Sequence, residues 1–182
     1  MLEAMQTFDN SLLDLIQTNL RSGVLDAVMP VISALGNAGA VWIAAAIVFI
    51  CQKKYRTVGL TVLVALILCG LIGNLGLKPL IARPRPCDVN PDIMLLILRP
   101  TDYSFPSGHT LSSFASAAVI FWYDKRWGYC ALAFGAVMAF SRLYLYVHYP
   151  TDVFGGMVIG VGLGIAAVFL VRLAMARVEK RQ

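Results

Sequence analysis

The chain has 182 residues, of which 59% are hydrophobic and 14% charged, and a formal net charge of +5 at pH 7. Soluble domains hold roughly 45–50% apolar residues, so this composition excludes an ordinary soluble enzyme. The basic residues fall in short clusters between apolar runs and form no continuous basic face, which excludes a nucleic-acid-binding module.

No linker, low-complexity tract or repeat divides the chain, and a single domain over residues 1–182 is expected. The N-terminal stretch, residues 1–22, lacks the basic start and continuous apolar core of a signal peptide. It predicts an amphipathic helix lying at the membrane interface. Uncharged runs of about 20 residues, enough to cross the hydrocarbon layer, then follow in order. The candidates are Met29–Cys51, Thr57–Leu77, Ser107–Tyr123, Gly128–Val147 and Val153–Val171. The first contains Pro30, Gly36, Asn37 and Gly39 and is expected to divide into shorter helices. The fold class is therefore all-α, an integral membrane bundle of about five spanning helices, or six if residues 1–35 hold a further inserted one. Glycines 155–164 predict close helix packing, and Tyr144, Tyr146 and Tyr149 an aromatic belt at the interface. Cys51, Cys69, Cys87 and Cys130 show no CxxC spacing, so neither a metal site nor a disulfide framework is indicated. Of these, Cys87 alone is expected in an exposed loop.

Alternation across the membrane puts the ends at Lys78, Ser107, His148 and Val153 on one face. Nine basic residues (Lys53, Lys54, Arg56, Lys125, Arg126, Arg172, Arg177, Lys180, Arg181) fall opposite, against six (Arg21, Lys78, Arg83, Arg85, Arg99, Arg142) on the His109 face. The positive-inside bias then makes the His109 face extracytoplasmic and the C-terminus cytoplasmic.

That face gathers the polar chemistry into three clusters. In residues 77–86 Lys78 and Arg85 stand at the membrane edge, and Pro79, Pro84 and Pro86 stiffen the chain between and after them. Ser107 is placed to cap the third span, and Gly108 lets backbone approach a ligand closely, so the first amides of that helix face any bound anion. Arg142 stands inside an apolar helix, where a charge is costly and points to function. His148 and Asp152 are four apart around Pro150. A carboxylate at that spacing can fix the tautomer of the imidazole and free its other nitrogen.

Each cluster taken alone has a bland explanation, as a basic flank, a capped helix or a loop histidine. Together on one face, and holding both histidines of the chain, they fit a phosphoryl ligand, since Arg grips phosphate oxygens bidentately and Lys adds a point charge. A two-metal site lacks the carboxylates it needs. Covalent catalysis remains, with one histidine attacking phosphorus and the other protonating the leaving oxygen. These residues alone do not say which histidine does which. A non-catalytic lipid-phosphate binding or transport protein is the rival from another class, and it has no need of the second histidine.

Lys78 with Arg85-Pro86, then Pro106-Ser107-Gly108-His109, then Ser141-Arg142 with His148 and Asp152 resembles the three-part signature of the type 2 phosphatidic acid phosphatase superfamily. The resemblance covers roughly residues 74–156 and is complete at each signature position. It implies His148 as the nucleophile, Asp152 as the group orienting it and His109 as the general acid, later the base for water. Lys78, Arg85, Ser107, Gly108 and Arg142 would hold the phosphate, with no metal and no cofactor. Among membrane members the chain is most similar to the small undecaprenyl pyrophosphate phosphatases. The expected substrate is a lipid phosphate or pyrophosphate reached from the bilayer, with phosphatidylglycerol phosphate and phosphatidic acid as alternatives.

Overall fold

A computed structural model describes residues 2–180, and every regular element among them is helical. Arg181, one of the nine basic residues opposite the His109 face, lies outside the described residues, as does the C-terminal end itself.

Helix α1 (Leu2–Asn19) is amphipathic: Asp9, Leu13 and Ile16 are buried while Met5, Phe8 and Leu15 are exposed. It packs against the two last long helices of the chain. Helix α2 (Gly23–Leu35) starts where the Ser22 hydroxyl accepts from the Leu25 amide, six residues before the predicted first span. The expected break follows. Ala38 (φ 50°) and Gly39 (φ 72°) are left-handed and cannot continue a right-handed helix, so α2 and α3 (Ala40–Cys51) meet at a 50° bend.

Helix α4 (Arg56–Leu68) runs on through a π-helical stretch, Cys69–Leu77, into the short α5 (Lys78–Ile81). Helix α5 stops at Ala82, itself left-handed at φ 49°, which turns the chain toward α6 (Pro86–Val89). The central helix α7 (Gly108–Tyr123) is buried along most of its length, Ser112, Ser113 and Ser116 included. Helices α8 (Lys125–Tyr144) and α9 (Pro150–Glu179) flank it, with α4 on a further side.

What lets α9 lie against α7 is a row of missing side chains. A Cβ at Gly160 would stand 2.5 Å from the Leu111 carbonyl oxygen, one at Gly164 2.5 Å from that of Ala115, and one at Gly156 2.9 Å from that of Ser107. Small residues at this spacing allow backbones to approach, as the sequence predicted. The contact sets the start of α7 beside the start of α9.

Two stretches, Lys53–Val89, with its helix broken at residues 82–85, and Pro150–Val178, are long and apolar enough to cross a membrane, and a third if the bent α2–α3 pair counts as one span. Helix α7 has 16 residues and buried serines, and α8 carries Lys125, Arg126 and Arg142, so both are less apolar than their neighbours.

Other expectations are corrected. Cys87 is fully buried, because the turn of α6 packs it into a cluster with Tyr144, Leu145 and Val147. The same cluster takes in Tyr146 and Tyr149, so the three tyrosines are core residues and no interfacial belt. The Tyr144 hydroxyl donates to Asp26 Oδ1 at 2.6 Å, and the Tyr149 ring lies under the Arg83 guanidinium.

Candidate active site

Lys78, Arg85, Gly108, His109, Arg142 and His148 line one cavity of about 1050 Å³. They arrive from the start of α5, the α5–α6 turn, the first turn of α7, the last turn of α8 and the α8–α9 loop. Ser107 and Asp152 stand behind the wall, both fully buried, and the Ser107 amide donates to the Asp152 carbonyl at 3.2 Å.

Ser107 occupies the N-cap position of α7, yet its hydroxyl caps no amide and instead accepts from Thr110 Oγ1 at 3.0 Å. The leading amides of α7 therefore keep their hydrogen-bonding capacity for an anion. Gly108 fits this role: a Cβ there would meet Asn74 Oδ1 at 3.1 Å and Lys78 Nζ at 4.0 Å, narrowing the space where the cation and the helix end converge.

Arg85 is the hub. Its Nη1 donates to the Val147 carbonyl at 2.6 Å and to His148 Nε2 at 3.1 Å. A guanidinium has no acceptor, so Nε2 of His148 offers its lone pair and the ring proton resides on Nδ1. Burial, followed by the charges of Arg85, Arg142 and Lys78, holds the His148 pKa well below the usual 6.5, so the imidazole is neutral.

Sequence spacing predicted a direct bond from Asp152 to this ring. The structure sets Asp152 Oδ2 3.8 Å from His148 Nδ1, with the Ser104 hydroxyl alongside both. Ser104 Oγ donates to Asp152 Oδ2 at 2.5 Å and lies 3.5 Å from Nδ1. Asp152 also accepts from the Tyr149 amide at 2.9 Å and from Arg83 Nη1 at 2.6 Å.

His109 donates through Nε2 to the Ser33 carbonyl and to Asn37 Oδ1, both at 3.1 Å, which places its ring at the α2–α3 bend. Arg142 donates to the Ser33 hydroxyl, while its buried Nε has no partner among the described residues. An unpaired buried donor is costly, and this one lies on a cavity already lined by Lys78 and Arg85. Both cations of that pair grip Asp102 of the α6–α7 loop: Lys78 Nζ takes Oδ2, and Arg85 Nη2 takes Oδ1 at 2.5 Å. Partial burial pushes the Asp102 carboxyl up, but the Lys78 hydrogen bond and the Arg85 charge more than reverse this and lower its pKa to about 2.

The residues that sequence reasoning missed here are Ser33, Asn37, Arg83, Asp102 and Ser104. Ser33 and Asn37 belong to the first apolar run and carry no local signal. Arg83 had one: a buried carboxylate at Asp152 requires a cation, and Arg83 stands two residues from Arg85.

The chain thus brings cations, helix amides and two imidazoles around one cavity, a set able to bind a phosphoryl group and transfer it. The PAP2 superfamily profile matches residues 58–176. The chain belongs to the PAP2 superfamily. It is 31% identical to the undecaprenyl-diphosphatase of Sulfolobus acidocaldarius over 163 residues, 88% of this chain and 77% of that protein. The undecaprenyl-diphosphatase BcrC of Bacillus subtilis is 32% identical over 97 residues, which is 53% of this chain and 50% of that protein. Among solved structures, the transmembrane PAP2-type phosphatidylglycerolphosphate phosphatase of Bacillus subtilis superposes with a TM-score of 0.74 at 27% identity, covering 96% of this chain and 87% of that one. As a PAP2 protein with apolar helices and membrane relatives, the chain is a membrane hydrolase acting on phosphate esters.

Proposed function

We propose that this PAP2 protein hydrolyses undecaprenyl pyrophosphate to undecaprenyl phosphate and inorganic phosphate at the extracytoplasmic face of a cell membrane, through a phosphohistidine on His148. One observation carries the chemistry: His148 Nε2, an acceptor nitrogen on the cavity wall, sits 3.1 Å from a guanidinium that would also grip a phosphoryl oxygen.

Lys78, Arg85, Arg142 and the first amides of α7 hold the terminal phosphoryl group. Nε2 attacks phosphorus as the bond to the bridging oxygen breaks, and His109 protonates that oxygen so that the polyprenyl phosphate leaves. His109 then takes a proton from water, the hydroxide attacks the phosphohistidine, and inorganic phosphate departs with the imidazole restored. Asp152, held by Ser104, steadies the ring and its developing positive charge.

The substrate assignment is supported by the cavity's second wall. Beyond the cations it is lined by Ala34, Ala38, Leu66, Gly70 and Leu75 of α2, the α2–α3 bend, α4 and the π-helical stretch. An apolar wall meeting a cationic floor suits a lipid whose phosphate enters from the bilayer. The polyprenyl tail follows the undecaprenyl-diphosphatase relatives. The face rests on the sequence argument alone: spans crossing in alternation would leave the heavier basic side opposite the site.

The test is phosphate release from purified protein in mixed micelles with undecaprenyl pyrophosphate, phosphatidylglycerol phosphate and phosphatidic acid. Undecaprenyl pyrophosphate is expected to be turned over fastest; a higher kcat/KM for phosphatidylglycerol phosphate would reassign the substrate. His148→Ala is expected to abolish release from all three. Retention of a tenth of the activity would overturn the nucleophile.

A further inference from the structure

Asp152 is fully buried, and a buried carboxylate without a compensating cation is strongly disfavoured. Its cation is Arg83. Nη1 of Arg83 donates to Asp152 Oδ1 at 2.6 Å and to Thr151 Oγ1 at 2.8 Å, and the guanidinium lies 4.0 Å over the Tyr149 ring. On its far side Nη2 donates to Asp9 Oδ2 at 2.7 Å and to Gln6 Oε1 at 2.9 Å. Asp9 is itself fully buried and accepts further from the Thr151 amide at 3.0 Å and the Thr151 hydroxyl at 2.5 Å. Two buried carboxylates thus share one guanidinium.

The backbone adds a further tie. The Arg83 carbonyl accepts from the Ser104 amide at 2.8 Å, and Ser104 is the hydroxyl that donates to the other oxygen of Asp152. Arg83 therefore governs both oxygens of that carboxylate, one directly and one through Ser104. It reaches this position because Ala82 adopts the left-handed conformation at φ 49°, which ends α5 and redirects the chain. Arg83 is absent from the cavity wall, so it does not meet the phosphoryl group.

From this geometry we infer that Arg83, anchored by Asp9 of α1, is a positioning residue that holds Asp152 behind His148, and that α1 is a working part of the active site. The inference rests on the role given to Asp152 above. The fixed geometry matters more than the charge: a carboxylate free to rotate would lose Ser104 and with it the alignment of Nδ1. Arg is suited to this because its planar guanidinium holds Nη1 and Nη2 in a fixed fork, each aimed at a different carboxylate, a fixed direction that a freely rotating ammonium lacks.

The test uses purified full-length protein and the faster of undecaprenyl pyrophosphate and phosphatidylglycerol phosphate as substrate. Arg83→Gln is expected to lower kcat roughly 100-fold, the scale of a small misplacement of a reacting group. KM and inhibition by inorganic phosphate should stay at the wild-type values, because Lys78, Arg85 and Arg142 are untouched. In an Asp152→Asn background Arg83→Gln should cost nothing more, since a residue acting only through Asp152 has nothing left to position. A KM that rises with kcat unchanged, or losses that multiply in the double variant, would overturn the inference. Asp9→Asn, which retains Arg83 but weakens its anchor, is expected to lower kcat roughly tenfold at constant KM. If Arg83→Gln protein cannot be recovered from the membrane, an unchanged kcat in Asp9→Asn refutes the inference by itself. Wild-type kcat in Asp152→Asn would instead sink the role of Asp152, a result separable from any behaviour of Arg83.

Discussion

Two side chains show how contacts decide what a residue type leaves open. Both nitrogens of His148 are chemically equivalent candidates in the sequence, and only the Arg85 bond assigns the lone pair to Nε2. Asp102 stood in the sequence as one of several acidic residues of an outer loop, yet its two oxygens meet Lys78 and Arg85 as two phosphate oxygens would. With its pKa at about 2 it stays ionised from neutral pH down to that value, so it competes with an anionic ligand across the whole working range. Asp102→Asn is expected to tighten competitive inhibition by inorganic phosphate roughly tenfold, the equivalent of about 1.4 kcal/mol. The gain should be the same at pH 6 and pH 8, and weaker inhibition in the variant would show that Asp102 aids binding. The signature residues Lys78, Arg85, His109, Arg142, His148 and Asp152 were legible because their types are costly in an apolar chain and recur on one face. Ser33 and Ser104 were not, because a serine is unremarkable until its partners are known.

Helix pairing depends on backbone distance as much as on side-chain chemistry. The α7–α9 contact carries the Ser107–Gly108–His109 turn to the His148–Asp152 loop, and Gly160 lies at one of its two tightest points, where a Cβ would stand 2.5 Å from the Leu111 carbonyl oxygen. Gly160→Val is expected to force the helices apart, with destabilisation of about 1–3 kcal/mol or more. In detergent this reads as a lower apparent Tm together with lost activity. Gly162, midway between Gly160 and Gly164 and off the seam, has open space around it. Gly162→Ala should leave both readouts unchanged, and a matching loss there would show that the glycines serve flexibility and not packing. The glycine run predicted this seam from its spacing, whereas the bend at Ala38 and Gly39 was foreseen only as a weakness, without its angle or the side chains it would deliver. The burial of Tyr144, Tyr146 and Tyr149 went against expectation, because residues near a predicted membrane edge are read as interfacial unless another element covers them. Here α1, α6 and the loop between α6 and α7 provide that cover.

At the level of the whole molecule, the distribution of charge decides which ligands the cavity admits. Lys78, Arg85, Arg99, Arg142 and a single carboxylate, Asp102, are the charged groups of the wall among the described residues. Such a wall repels a divalent cation and attracts a polyanion. Phosphate release is therefore expected to persist in excess chelator, and a strict requirement for added Mg²⁺ or Mn²⁺ would contradict the histidine mechanism. The sequence by itself determined the helical class, the membrane setting and the family to which the chain belongs. Apolar runs, positive-inside bias and costly polar residues are local quantities, written in the order of the chain. Only the tertiary structure decided that the site includes Ser33, Ser104, Arg83 and Asp9. Their partners lie 48 to 109 residues away, as Ser104 to Asp152, Arg83 to Asp9 and Arg142 to Ser33 show. No periodicity encodes such pairs, because they are selected by the need to satisfy buried charge once the helices have packed.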